Sequence, residues 1–249
     1  MSLRLAMLVS NLIALDVRMD PIRNPFFHGA GSPPPELAGR APILEQARIL
    51  LGRALLGKLE KSLMLTGLAR ESKSYAEHLF AFPDVGALSA QDANKAISEP
   101  ALAEGVEVTS EALAETYRLT QGYPCFIQEW GYQMWNLAQE SPIEISVVKE
   151  ASKSVIKRLD QNFFRVRFDR LTPSVKNFLR VMAELGPGET RSGDNANYLG
   201  IKVNSIDPVR AKLIKKGMIY SPAYGDIAFT VPLFDEFMKR TIPDFAAKV

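Results

Sequence analysis

Cysteine and histidine are almost absent from this sequence. Its 249 residues include one cysteine, Cys125, and two histidines, His28 and His78. No disulfide framework, Cys/His zinc site or Cys/His catalytic dyad can be built from so few groups, and a reducing compartment is the expected setting. Neither histidine has a Ser or Cys nucleophile in a recognisable elbow beside it, so no catalytic residue is assigned. Long apolar runs are scarce too. Leu5 to Leu15 is interrupted only by Ser10 and Asn11 and preceded by Arg4, but no small-x-small cleavage site follows it and it is too short to span a bilayer. Residues 1–18 are expected to be a non-native or disordered extension, with Met19 the natural start. The chain from Asp20 onward is expected to be cytoplasmic, with no membrane partner. A large excess of one charge is also missing. The net charge is +2, with 47% hydrophobic and 23% charged residues, values that exclude collagen-like, disordered and multi-spanning membrane proteins.

The near-neutral total hides an uneven distribution. Residues 1–70 carry 9 basic and 5 acidic groups, 71–148 carry 3 and 12, 149–170 carry 7 and 3, and 172–249 carry 11 and 8. An acidic middle between basic parts points to separate modules. The carboxylates of the middle are spread over several predicted helices, which reads as a solvated face, and no metal site is expected.

Nine Pro and Gly residues between Pro21 and Pro42 rule out a regular element there and predict an extended arm. A helix is predicted from about Ile43 to Leu56, with Ile43, Ala47, Leu50, Leu51 and Ala54 on one face and Gly57 as its stop. Ser62 to Leu65 reads as a short strand. Ser89 and Asp92 form a variant capping box for a helix that Pro100 bends or ends. A second helix is predicted over Ser110 to Thr120. After Gly122, Pro124 opens a third, in which Tyr123, Ile127, Trp130, Met134 and Leu137 recur at helical spacing as a core face. A basic helix spans about Ser146 to Phe168, with Val148, Ala151, Val155, Leu159, Phe163 and Val166 inward.

The remainder has a different rhythm. Thr172 and Pro173 open a helix with Val175, Phe178, Leu179, Met182 and Leu185 inward, ended by Gly186-Pro187-Gly188. A short helix near Asp194 to Leu199 closes at Gly200. Another runs from Ser205 to Gly217, with Ile206, Val209 and Leu213 inward and Arg210, Lys212, Lys215 and Lys216 mostly outward. Strands at Met218 to Tyr220 and Ile227 to Val231 flank a turn, and Pro232 opens a last helix through Arg240. Three helices and a hairpin describe a winged helix. Such a domain would set the helix Ser205 to Lys216 in a major groove and the hairpin on the backbone, which makes Ser205, Arg210, Lys212, Lys215, Lys216 and Tyr220 the candidate DNA contacts. A protein partner through the same domain is the alternative.

One segment invites a catalytic reading. Gly67-Leu68-Ala69-Arg70-Glu71-Ser72-Lys73-Ser74 fits the phosphate-binding pattern of Gly, four residues, Gly-Lys and Ser or Thr, except that Ser72 stands where the second Gly belongs. A side chain there occupies the point at which the backbone must turn tightly. Only fourteen residues separate it from the helical region, too few for parallel strands with their crossovers, and no apolar strand ends in an acid to hold Mg²⁺. Gly67, Lys73 and Ser74 are therefore a degenerate lookalike.

Asn24-Pro25-Phe26, the Gly29-Ala30-Gly31 turn, Pro33 to Pro35 and Leu37-Ala38-Gly39-Arg40 together resemble the N-terminal signature of bacterial AAA-type ATP-binding proteins related to archaeal origin-recognition and STAND ATPases. Ser62 to Leu68 is similar to the strand that leads into that family's phosphate loop. Lys73 to Ser89 is similar to its segment after the ATPase core. Gly122-Tyr123-Pro124 and Gln128-Glu129-Trp130-Gly131 resemble the nucleotide-sensing stretch of its helical lid, and the C-terminal segment resembles its winged helix. The resemblance covers nearly everything from Met19 onward and implies that most of the ATPase core is missing between about Leu68 and Lys73. By resemblance, Pro25, Phe26, Gly39, Arg40, Gly122 and Pro124 are residual nucleotide contacts. The intact family uses ATP and Mg²⁺, whereas this chain is expected to need no cofactor. The alternative is an ATP-binding protein that uses the degenerate loop or is completed by a full-length relative.

The fold class expected is mainly α (α+β). It comprises an extension (1–18), an arm and helix-strand stub of the ATPase core (19–70), a lid-like helical bundle (71–168) and a winged helix (169–249).

Overall fold

The computed structural model describes residues 19–26, 37–55, 62–63, 80–81 and 86–245. Residues 1–18, the Gly29 to Pro35 arm and the lookalike loop with Gly67, Lys73 and Ser74 lie outside the described residues. Within them the chain is mainly helical, with a small three-stranded sheet, as the α-rich reading requires. It divides into two compact units. The first holds the described parts of 1–39, 88–118 and 124–155; the second holds those of 40–87, 119–123 and 156–249.

The first unit is built from α2 (Ala90–Ala103), α3 (Ser110–Thr120), α4 (Pro124–Leu137) and most of α5 (Ile145–Arg158). Ser89 caps α2: its Oγ accepts the Asp92 N–H, which is one half of a capping box, and its hydroxyl donates to the Asp92 carboxylate. Pro100 does not end this helix, which runs on to Ala103. Ala96, Ile97, Pro100 and Ala101 are buried on the side that packs against α4, and that burial offsets the backbone bond proline removes. The Val108–Ile143 bridge ties the loops after α2 and α4, and the Trp130 indole donates to Ser152 on α5.

Helix α4 is buried on two sides. Ile127, Trp130 and Met134 form the stripe read from the sequence, and Leu137 at its end is exposed. Gly131 and Trp135 form a second face, covered by the N-terminal arm. Asn24 holds this contact: its amide donates to the Tyr132 carbonyl and to Asn136 Oδ1, while its own Oδ1 accepts the Phe26 N–H, a local turn that asparagine favours. The Trp135 indole donates to the Asp20 carbonyl. Phe26, only 2% exposed, lies over Gly131 and meets Trp135 edge to face at 6.5 Å. A Cβ at position 131 would stand 2.6 Å from the Phe26 ring, a distance real side chains do not adopt.

In the second unit, α5 passes without a break into a π-helical segment (Leu159–Phe164) and a short helix α6 (Arg165–Phe168). The Arg165 N–H bonds to the Asp160 carbonyl five residues back, one residue further than an α-turn reaches. That extra residue overturns part of the inward face read from the sequence. Val148, Ala151, Val155 and Leu159 are buried as expected, but beyond Leu159 the phase slips by one. Phe164 and Phe168 are buried instead of Phe163 and Val166, and Val166 is 48% exposed. Phe164 packs at 5.3–5.5 Å on Phe234 and Phe237, and Phe237 in turn meets Phe168 at 5.6 Å.

The rest of this unit runs α7 (Pro173–Leu185), β3 (Thr190–Arg191), α8 (Ser192–Leu199), a 3-10 turn (Val203–Ser205), α9 (Asp207–Lys215), β4 (Ile219–Tyr220), β5 (Asp226–Phe229) and α10 (Phe234–Thr241). Val175, Phe178, Leu179 and Met182 of α7 are buried, and α10 packs on α7. Thr172 has the extended backbone of a cap, but its hydroxyl lies 3.3 Å from that of Ser174 and caps no N–H. The three strands are antiparallel in the order β3-β5-β4. The sequence does not signal β3, which is two residues long. Earlier in the unit, α1 (Ala41–Leu55) is followed by β1 (Ser62–Leu63), which pairs in parallel with β2 (Phe80–Ala81). No residue of α1 is buried, and Leu51 and Leu55 are exposed; its apolar face finds no core within the described residues.

Phe26→Ala should destabilise the first unit by about 3–5 kcal/mol and Gly131→Ala by about 1–3 kcal/mol, read from denaturant midpoints. A Gly131→Ala variant as stable as wild type would show that the arm is not seated on α4.

Candidate nucleic-acid interface

Helix α9 starts after the 3-10 turn because Ile206 is buried and Pro208 has a preset φ with no N–H to satisfy. Leu213 anchors its inner face. Ser205 is exposed just before the helix, and Lys212 and Lys215 are exposed on its outer side. Lys216 caps the end and donates from Nζ to the Arg170 carbonyl at 3.4 Å. Cations in the last turn also complement the helix dipole, so α9 is stabilised by the same residues it presents.

Arg210 plays a different part from its neighbours. Its Nη2 donates to Ser221 Oγ at 2.6 Å, and that hydroxyl lies 2.9 Å from both the Ala223 and the Asp226 carbonyl. One side chain thus ties α9 to the turn between β4 and β5. Tyr220 is exposed on β4, and Tyr224 at the tip of the turn is fully exposed. Tyr224 is the outward residue that sequence reasoning did not select; its place between Pro222 and Gly225 was the available signal.

Behind the first turn of α9 lies a cavity of 390 Å³ lined by Phe178, Tyr198, Leu199, Ile206, Val209 and Phe245, among others. No charged side chain lines it, and Ser174, Asn177, Tyr198 and Ser205 supply its polar groups. Phe245 stacks on Tyr198 at 6.2 Å, with the Arg180 guanidinium 4.8 Å above its ring. Arg180 also donates to the Ile242 carbonyl and pairs with Glu184 at 2.6 Å. That hydrogen bond holds the Glu184 carboxyl below the usual glutamate range.

The residues matched to a nucleotide site are distributed over both units. Phe26 is used in packing on Gly131, and Pro25 is half-buried beside it. Gly39 has a left-handed backbone and lies close to Asp92 and Leu88. Arg40 donates to the Gly86 carbonyl. Gly122 is buried at φ +74°, after Gln121 at φ +49°. These two left-handed residues reverse the chain between α3 and α4, and Pro124 begins α4. Among the described residues no group of three His, Cys, Asp or Glu side chains could hold a metal ion, and no helix is long and apolar enough to cross a membrane.

Residues 161–238 match a family model described as a domain of unknown function (DUF8462). No match is found among curated proteins. Among solved structures the chain is similar to a Walker-type ATPase, PABY2304 of Pyrococcus abyssi, at 14% identity and a TM-score of 0.53, over 64% of this chain. The match spans 44% of that ATPase's length. Two RuvB mutants of Thermotoga maritima match at TM-scores of 0.34 and 0.38. Their identities are 13% and 11%, over 72% and 86% of this chain and 55% and 97% of theirs. The likeness to PABY2304 is one of fold, over the matched part of each chain.

A lowered carboxyl pKa in the folded state stabilises the protein above the unfolded value, and this contribution is lost as pH falls through the folded one. Glu184 should therefore titrate below an ordinary glutamate in a carboxyl NMR titration, and Arg180→Met, which removes the hydrogen bond that is the largest cause, should raise it. An unchanged titration in the variant would remove Arg180 as the cause.

Proposed function

We propose that this chain is a non-hydrolytic nucleic-acid-binding module derived from an AAA-type ATPase. In this reading residues 19–70 are the arm and stub of a core that is otherwise missing, 71–168 are the lid and 169–249 form a winged helix. Helix α9 enters the groove, and the β4-β5 hairpin is the wing that lies on the backbone. One observation carries the reading: Arg210 joins α9 and the hairpin into a single surface, on which Lys212 and Lys215 make no ion pair among the described residues. The likeness in fold to a Walker-type ATPase supports the ancestry. Lys212, Lys215 and Lys216 are the phosphate contacts, Ser205 and Tyr220 flank them, and Arg210 positions the wing.

Binding to duplex DNA should weaken steeply with salt, and Lys212→Gln/Lys215→Gln should reduce the slope of log K against log salt by about 2. Fluorescence anisotropy over a salt series measures this, and a flat response would assign the surface to a protein partner instead.

The second reading, ATP binding by this chain, rests on the same fold likeness. Mg-ATP at a hundredfold excess over its dissociation constant would stabilise the folded state by about 2.7 kcal/mol. The first reading expects no shift in the thermal midpoint. A clear shift, lost in Lys73→Ala, would establish the second.

A further inference from the structure

Two cations of the second unit are paired with carboxylates: Arg180 with Glu184, and Arg240 with Asp160 and Glu236. A second group is not. Residues 165–176 hold four cations, Arg165, Arg167, Arg170 and Lys176, against one acid, Asp169, and none of the four is in an ion pair among the described residues. Three elements bring charge to the turn between α6 and α7. Arg170 projects from the turn itself and is exposed. The Lys176 ammonium, from the first turn of α7, sits 4.1 Å above the Phe168 ring. Lys216 arrives from the end of α9 on the Arg170 carbonyl.

Like charges gathered this way repel one another and cost stability, and Asp169 is the one acid set against them in the segment. Two of the three are already held, one by an aromatic face and one by a carbonyl, so an anion that binds them does not have to order free lysine chains. We infer that the turn Phe168–Ser174, with Arg170 and Lys176, is a second phosphate contact that continues from the end of α9 through Lys216 and extends the nucleic-acid footprint beyond helix and wing. This rests on the proposed function, because the anion is taken to be the backbone of the same duplex. The cavity behind α9, uncharged throughout, does not compete for it.

The test is Arg170→Gln/Lys176→Gln, with neither residue among the groove and wing contacts, titrated against a 20-base-pair duplex from 50 to 200 mM salt. Two lost phosphate contacts lower the salt slope by about 2, so wild type should lose about twelvefold more affinity than the variant across that range. Arg170→Lys/Lys176→Arg should restore the wild-type slope, and unchanged thermal midpoints show that both variants are folded. A double variant with wild-type slope and affinity, while Lys212→Gln/Lys215→Gln is weakened, overturns the second contact and leaves the proposed function standing. A wild-type chain with no salt-dependent affinity overturns both. Saturable binding of inorganic phosphate by the wild-type chain that is lost in the double variant, while that variant binds DNA with wild-type slope, identifies a free-phosphate site and likewise overturns the footprint.

Discussion

A single additional residue in one helical turn sets the core of the second unit. Between Leu159 and Phe164 the backbone widens to a π-turn, and everything after it is rotated by one position relative to an uninterrupted α-helix. Phe164 and Phe168 thereby reach Phe234 and Phe237, while Arg165 and Val166 face solvent. An ordinary helix through the same sequence would bury Phe163 and Val166 and turn Phe164 outward, taking from α10 the ring that packs on both Phe234 and Phe237. The lost regularity of one turn is offset by the burial of several rings, each contributing about 0.5–1.5 kcal/mol beyond its area. Arg167, four residues after Phe163, stacks on its ring on the outer side of the same segment.

Much of the architecture was legible because local chemistry and tertiary context agree. The bounds of α3 and α7, the capping of α2 by Ser89, the stop of α8 at Gly200 and the turn at Gly122 all follow from caps, proline and glycine. The failures have physical reasons. Pro100 remains inside a helix because burial outweighs one missing bond. The face beyond Leu159 was misread because periodicity assumes 3.6 residues per turn throughout. The strands β2 and β3, two residues each, are too short for alternation to register. The stripe on α4 was found, but its second face was not, since Gly131 is apolar only in the company of a ring from more than a hundred residues earlier.

The candidate surface was readable in part for a similar reason. Lys212, Lys215 and Lys216 announce themselves as a cluster at the end of a helix. Nothing in the sequence shows that Arg210 is tied to Ser221, or that positions 170, 176 and 216 converge, because such relations exist only after folding. Arg210 is tied to the hairpin turn through Ser221, and Tyr224 stands fully exposed at the tip of that turn.

The seat of Phe26 on Gly131 has a consequence on the scale of descent. The arm and α4 are far apart in the chain, yet neither position can vary alone: a side chain at 131 expels the ring, and a small residue at 26 leaves a void over the glycine. The steric fit predicts correlated substitution at these two sites, with a lineage that loses one released from keeping the other.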